Sequence, residues 1–97
     1  MAAVAGVTTS FVLNATTPTQ LANANNGRTY LLITNNDLVA TVYIGFGTQN
    51  NAAAGMIPIP PSTATVVSYL ELPVAAPKGD VSAIANVGTP SISYTEA

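Results

Sequence analysis

The stretch "NNGRTYLLITNND", residues 25–37, decides how this chain is read. It holds a short apolar run, "TYLLIT", with asparagine, glycine and aspartate on both sides. The run is apolar at consecutive positions, which marks a central strand covered on both faces. "NNG" offers residues that tolerate positive φ and turn tightly into a strand beginning at Arg28. "TNND" ends that strand as a turn whose Asn and Asp side chains bond their own backbone.

The same alternation of short β-rich runs and turn formers continues in both directions. It places strands near Thr8–Asn14, Thr19–Ala24, Arg28–Asn35, Thr41–Phe46, Met56–Ile59, Thr63–Leu72, Asp80–Asn86 and Ser91–Glu96. Period-two patterning puts Thr9, Phe11 and Leu13 on one face, and Val81, Ala83 and Ala85 on one face of another strand. Proline cannot donate to a ladder, so Pro58, Pro60 and Pro61 belong on an edge or in a loop. "GTQNNAAAG" reads as a flexible loop of small residues, and "PVAAPKGD" and "NVGTP" as connections. The only helix candidate is Ala52–Ala54. The expected fold is all-β: a single small β-sandwich or jelly-roll-like barrel of about seven or eight short antiparallel strands. One domain spans residues 1–97, with residues 1–7 set aside as a possible N-terminal arm.

Charge is sparse. Two basic and four acidic residues make 6% of the chain, against about 25% in an average soluble domain. The surface must therefore be small, neutral and rich in hydroxyls and amides, which suits contact with other protein. Two isolated cations do not form a phosphate-binding cluster, so nucleic acid is not an expected partner. No apolar stretch reaches about 18 residues, so no membrane partner is expected either. The opening "MAAVAGVTTSFVLNA" lacks the basic start of a signal peptide.

Catalysis is not expected. Neither histidine nor cysteine is present, which removes the usual bases, the strongest nucleophile and the ordinary zinc, haem and iron–sulfur ligands. Lys78 lies in the turn "APKGD" and reads as a solvated lysine. The spacing of Asp37, Glu71, Asp80 and Glu96 brings no two carboxylates together. One carboxylate among the amides of "TNND" would hold calcium weakly, so no cofactor or metal is expected. "NAT" at Asn14 is a glycosylation sequon by chance. "KGD" and "NGR" match cell-recognition tripeptides, again at a length where chance suffices. Gly45 and Gly47 in "YIGFG" read as a bulge or a close strand approach.

The order of features carries one resemblance. "NGRTYLLITNN" is followed by "VYIGFG", a small-residue loop, "GMIPIPP", a stretch ending "ELPV", then "KGDVSAIA" and "SISYTEA". Over residues 8–97 this resembles small β-sandwich proteins of tailed-phage virions. In that group an Asn-x-x-Arg-x-x-Leu-x-Ile-x-Asn strand leads into a Tyr-Ile/Val-x-Phe-Gly strand. The leading asparagine is either Asn26, one position off the spacing, or Asn25. The resemblance implies a capsid decoration (cement) protein, made in the bacterial cytoplasm and bound to the major capsid protein on the outer surface of the virion. It also implies a homo-oligomer, a trimer first. The alternative is a tail- or fibre-associated receptor-binding module that recognises carbohydrate. Arg28 is expected as a structural clasp, its planar multi-donor guanidinium reaching backbone carbonyls or a single carboxylate, with a capsid-contacting role as the alternative. Gln49, Asn50, Asn51, Met56, Ile57, Pro58, Ile59 and Pro60 are the candidate capsid or subunit contacts. Tyr30 and Tyr43 read first as rings packed on the core with their hydroxyls at the rim, a shared face on adjacent strands being the alternative.

Overall fold

The computed structural model describes residues 7–53 and 55–97. Eight strands run along them: β1 (Val7–Val12), β2 (Thr19–Ala22), β3 (Leu31–Asn35), β4 (Val42–Gly47), β5 (Ile57–Ile59), β6 (Ser68–Leu72), β7 (Asp80–Ala85) and β8 (Ser91–Glu96). They form two four-stranded antiparallel sheets, ordered β1-β8-β3-β6 and β2-β7-β4-β5. Four nested pairs, β1·β8, β2·β7, β3·β6 and β4·β5, make the chain one long hairpin rolled upon itself. This winding is that of a jelly roll, and it closes through β3·β8 and β4·β7.

The winding sorts the loops to two ends. One end, named here for Arg28, carries the β2–β3, β4–β5 and β6–β7 connections and the last residues of β8. The opposite end, named for Asn35, carries the β1–β2, β3–β4, β5–β6 and β7–β8 connections. Between the sheets lies a core of Leu13, Leu21, Leu31, Ile33, Val42, Ile44, Ile59, Val81, Ala83, Ala85, Ile92 and Tyr94. Its members alternate along each strand, as one buried face requires.

β3 is central in its sheet. Its inward residues Leu31, Ile33 and Asn35 are buried, but Leu32 and Thr34 are only half-buried, so one face is covered rather than two. The strand also starts at Leu31, three residues later than expected. Arg28 N–H closes a turn on Asn25 O, and Thr29 and Tyr30 N–H both donate to Ala97 O. That turn contains no left-handed residue. It is held by Asn25 Oδ1, which accepts from Gly27 N–H at 3.0 Å.

β6 likewise starts at Ser68 rather than Thr63. Thr63 Oγ1 accepts from Val66 N–H, and Thr63 N–H donates to Val66 O, so the largely β-branched residues 63–67 form a turn. Pro58 lies in β5, an edge strand, where its missing N–H costs no ladder bond.

The β4–β5 loop is not a free loop of small residues. It folds back over the outer face of the second sheet: Ala52 is buried and donates its N–H to Ser82 Oγ at 3.0 Å, and Asn51 Nδ2 donates to Phe46 O at 2.8 Å. Gly45 is required beneath it, since a Cβ there would stand 2.8 Å from the Ala52 backbone and collide with the Asn51 amide. Of the helix candidate, Ala52 and Ala53 are not helical and Ala54 lies outside the described residues. The arm expected over residues 1–7 also lies outside them, except that Val7 opens β1. Tyr30 precedes β3 in the first sheet and Tyr43 lies in β4 of the second, so the two do not share a face.

Candidate functional site

Each end of the roll is built around one buried polar side chain. Arg28 is 0% exposed, the largest fully buried residue among those described. Its guanidinium joins three segments. Nε donates to Glu96 Oε1 at 2.9 Å at the close of β8. Nη1 donates to Pro77 O at 2.7 Å and Gly79 O at 2.8 Å in the β6–β7 loop. Nη2 donates to Asn23 O at 2.9 Å in the β2–β3 loop. Four acceptors in different directions suit a planar fork with five N–H donors and no single-point cation.

The neighbours close the same knot. Asn25 Nδ2 donates to Glu96 Oε2 at 3.0 Å, and Tyr94 Oη to Glu96 Oε1 at 2.8 Å. The Lys78 ammonium donates to Arg28 O at 2.6 Å, and Asp80 Oδ1 accepts from Ala24 N–H at 2.7 Å. Lys78 is thus bonded to the clasp rather than simply solvated. "NGR" and "KGD" interlock here, and an arginine with no exposed surface is not presented to a receptor.

Burial by itself pushes the Glu96 carboxyl up. The bonds from Tyr94, Asn25 and Arg28, with the Arg28 charge, outweigh it and hold the group below the usual carboxylate range. Burial, and then the bond to Glu96, push the Tyr94 phenol up, so it stays a donor. A carboxylate whose folded pKa is depressed adds stability above its unfolded value of about 4.3, and that stability is lost as pH falls through the folded value. Urea denaturation is therefore expected to show stability falling below about pH 4, with Glu96→Gln flattening part of that fall. Asp37, lowered by backbone N–H bonds from Ala40 and Val39, adds to the fall in the same direction.

At the other end Asn35 is 0% exposed. Its amide donates to Ala40 O (2.9 Å), Ile59 O (3.1 Å) and Pro60 O (3.0 Å), and its Oδ1 accepts from Asp37 N–H at 3.0 Å. Ser62 Oγ donates to Asn35 O and accepts from Ser68 N–H. Asp37 Oδ2 accepts from Val39 and Ala40 N–H at 2.9 and 2.6 Å. The "TNND" turn is thus closed on its own backbone, and no group of potential metal-ligating side chains occurs among the described residues. Asn14 Oδ1 is similarly taken up by Thr16 and Thr17.

The surfaces of the two ends differ. Arg28, Lys78, Asp80 and Glu96 all lie at the Arg28 end, with Glu71 one residue from the close of β6. The Asn35 end has Asp37 alone, its carboxylate already bonded to two backbone N–H groups. The same end carries Val12, Leu38, Val39, Val66, Val67 and Val87, all exposed, Val39 by 74%. Sequence reading missed this group, because its members sit singly or in pairs in separate segments, the end of β1 and three loops. The nested pairing is what brings them to one end.

The contact candidates divide. Gln49 and Asn50 are exposed at the β4–β5 tip, and Met56, Ile57, Pro58 and Pro60 are exposed on and beside edge strand β5. Asn51 turns inward onto Phe46 O and Ser82. Ile59 is 1% exposed, a core residue facing between the sheets, and so offers no contact. Among the described residues Asp37, Glu71, Asp80 and Glu96 are each hydrogen-bonded to groups other than carboxylates. Compared with family models, curated proteins and solved structures, the chain matches none.

Proposed function

We propose that this chain is a structural protein of a tailed-phage virion, a capsid decoration protein that docks on the outer surface of the major capsid protein and stabilises the head. The observation that carries this reading is the Asn35 end, which exposes six branched aliphatic side chains and holds one carboxylate, internally bonded. An exposed apolar cluster of this kind marks a contact with another macromolecule, and the fully buried centre of a protein interface is likewise depleted of charge. The jelly roll agrees with the reading, being an architecture of viral capsid and lectin domains, although fold alone does not fix function.

The role is passive binding. Both cations are taken up by the Arg28 knot, which agrees with such a role. Repetition supplies the strength: a modest site repeated over a lattice holds by multivalency. The resemblance adds a trimer, for which Met56, Ile57, Pro58 and Pro60 along the β5 edge are the proposed subunit contacts.

Val39→Asp and Val66→Asp test the docking end. Both positions are exposed, so urea denaturation is expected to find each variant within about 0.5 kcal/mol of the parent. Rebinding to particles stripped of this chain is expected to weaken about tenfold or more for each, about 1.4 kcal/mol. Unchanged rebinding by both variants would remove the Asn35 end from the interface.

A further inference from the structure

The outer face of the β1-β8-β3-β6 sheet is unlike either end. One rung across all four strands reads Ser10, Ser93, Thr34, Tyr69, and the neighbouring outward rung reads Thr8, Thr95, Leu32, Glu71. The face is therefore largely a hydroxyl array, with Thr8 and Thr95 joined at 2.8 Å and Ser93 accepting from Asn36 at 3.0 Å. Three strand spacings make it about 14 Å wide.

At its β6 side a shallow groove of about 300 Å³ is lined by Leu32, Thr34, Val67, Tyr69 and Glu71. Tyr69 is 59% exposed, although an aromatic ring this large contributes most when buried. Tyr30 Oη donates to Glu71 Oε2 at 3.0 Å, which orients the carboxylate. No side chain among the described residues donates to its other oxygen.

From this arrangement we infer that the groove is a saccharide site for neutral oligosaccharides. A sugar ring has an apolar C–H face and a rim of hydroxyls. Tyr69, with Leu32 and Val67 beside it, offers a flat apolar surface for the first. The free oxygen of Glu71 and the hydroxyl rows on Thr34, Ser93 and Thr95 offer partners for the second. A few placed polar groups on an apolar floor is the usual make-up of a small-molecule site.

The charge pattern narrows the ligand. The face carries one carboxylate and no cation, so it favours neutral sugars over sialylated, sulfated or phosphorylated ones. It differs in make-up from the Asn35 end, with which it shares Val67 and Val12 at its margin: the two rungs beyond them carry hydroxyls, Tyr69, Leu32 and Glu71 rather than a row of exposed branched aliphatics. The width across four strands favours a chain of sugars over one ring.

This site does not depend on the capsid reading, because the isolated chain contains all of it. On a virion, repetition would turn weak single-site binding into firm attachment to a glycan-coated surface.

The test is titration of the purified chain with maltohexaose, cellohexaose, mannohexaose and chitohexaose, with sialyllactose and chondroitin sulfate as anionic probes, followed by calorimetry and backbone amide shifts. At least one neutral oligosaccharide is expected to bind saturably, with a Kd of about 1 mM or tighter and shifts centred on β3 and β6. Tyr69→Ala is expected to lose that binding at least tenfold, while Tyr69→Phe keeps it. Glu71→Lys, at another exposed position, replaces Tyr69→Ala as the deciding variant should the latter fail to fold. The inference is overturned by no saturable binding of any neutral probe, by preference for the anionic probes, or by binding unchanged in the deciding variant. Any of these results leaves the rebinding result at the Asn35 end intact.

Discussion

Arg28→Ala is expected to lower stability by about 3–5 kcal/mol, the cost of removing one partner from a buried ion pair. The loss is large because the side chain is fully buried and joins three segments distant in sequence. Without it Glu96 loses its counter-ion, and the carbonyls of Asn23, Pro77 and Gly79 lose their donor. A small domain has only about 5–15 kcal/mol in total, so the variant is expected to be partly unfolded on modest warming. Arg28→Lys keeps the charge, but one ammonium does not reach four acceptors spread around a plane. It is expected to recover less than half of the loss. Urea denaturation of the three proteins side by side measures this, and a lysine variant as stable as the parent would show that charge, not the planar fork, holds the end.

Asn35→Ala is the second large effect, expected at about 2–4 kcal/mol. Three carbonyl acceptors, Ala40 O, Ile59 O and Pro60 O, lose a shared donor in a buried place, and each unsatisfied group costs about 1–3 kcal/mol before relaxation. In melting temperature this is a fall of about 10–25 °C. Asn35→Asp keeps the shape but turns an oxygen towards those carbonyls, and is expected to be at least as damaging at neutral pH. Because Asn35 anchors the β3–β4 turn to the β5–β6 segment, its loss is also expected to loosen Leu38 and Val39. Heat denaturation followed by circular dichroism distinguishes this from a surface role, for which the change would stay below about 0.5 kcal/mol.

The sheet was legible in the sequence because its signals are local. Six of the eight strands fall within their expected runs, β1 and β4 overrun theirs by one residue at Val7 and Gly47, and turn formers stand at every junction. The misreadings come from residues whose local pattern suits two states. Thr63–Val67 is largely β-branched and reads as strand, yet the Thr63 hydroxyl satisfies Val66 N–H and makes a turn instead. Ile59 read as a contact because prolines flank it, while its partner Val42 is a core position and carries it inward. Gly45 was legible as a close approach, but not that the approaching backbone would be Ala52.

The buried polar groups were only half legible. Arg28 stood out as a lone cation. Its carboxylate partner could have been found by alternation, since Ile92, Tyr94 and Glu96 share the inward face of β8. The same reasoning applied to Leu31, Ile33 and Asn35 would have placed the Asn35 amide inside. The apolar cluster at the Asn35 end had no local signal at all. Its six residues come from four different segments, and only the rolled topology brings them to one end.

The central claim, decoration of a capsid, is met most directly by copy number. Native phage particles from the chain's source, purified on a density gradient, can be quantified by mass spectrometry for this chain against the main shell protein. Decoration predicts copies on the order of hundreds per particle, in a fixed ratio to the shell protein, as lattice-wide binding requires. A few to a dozen copies would place the chain on the tail or at a single vertex, and its absence from the particles would contradict the virion reading altogether.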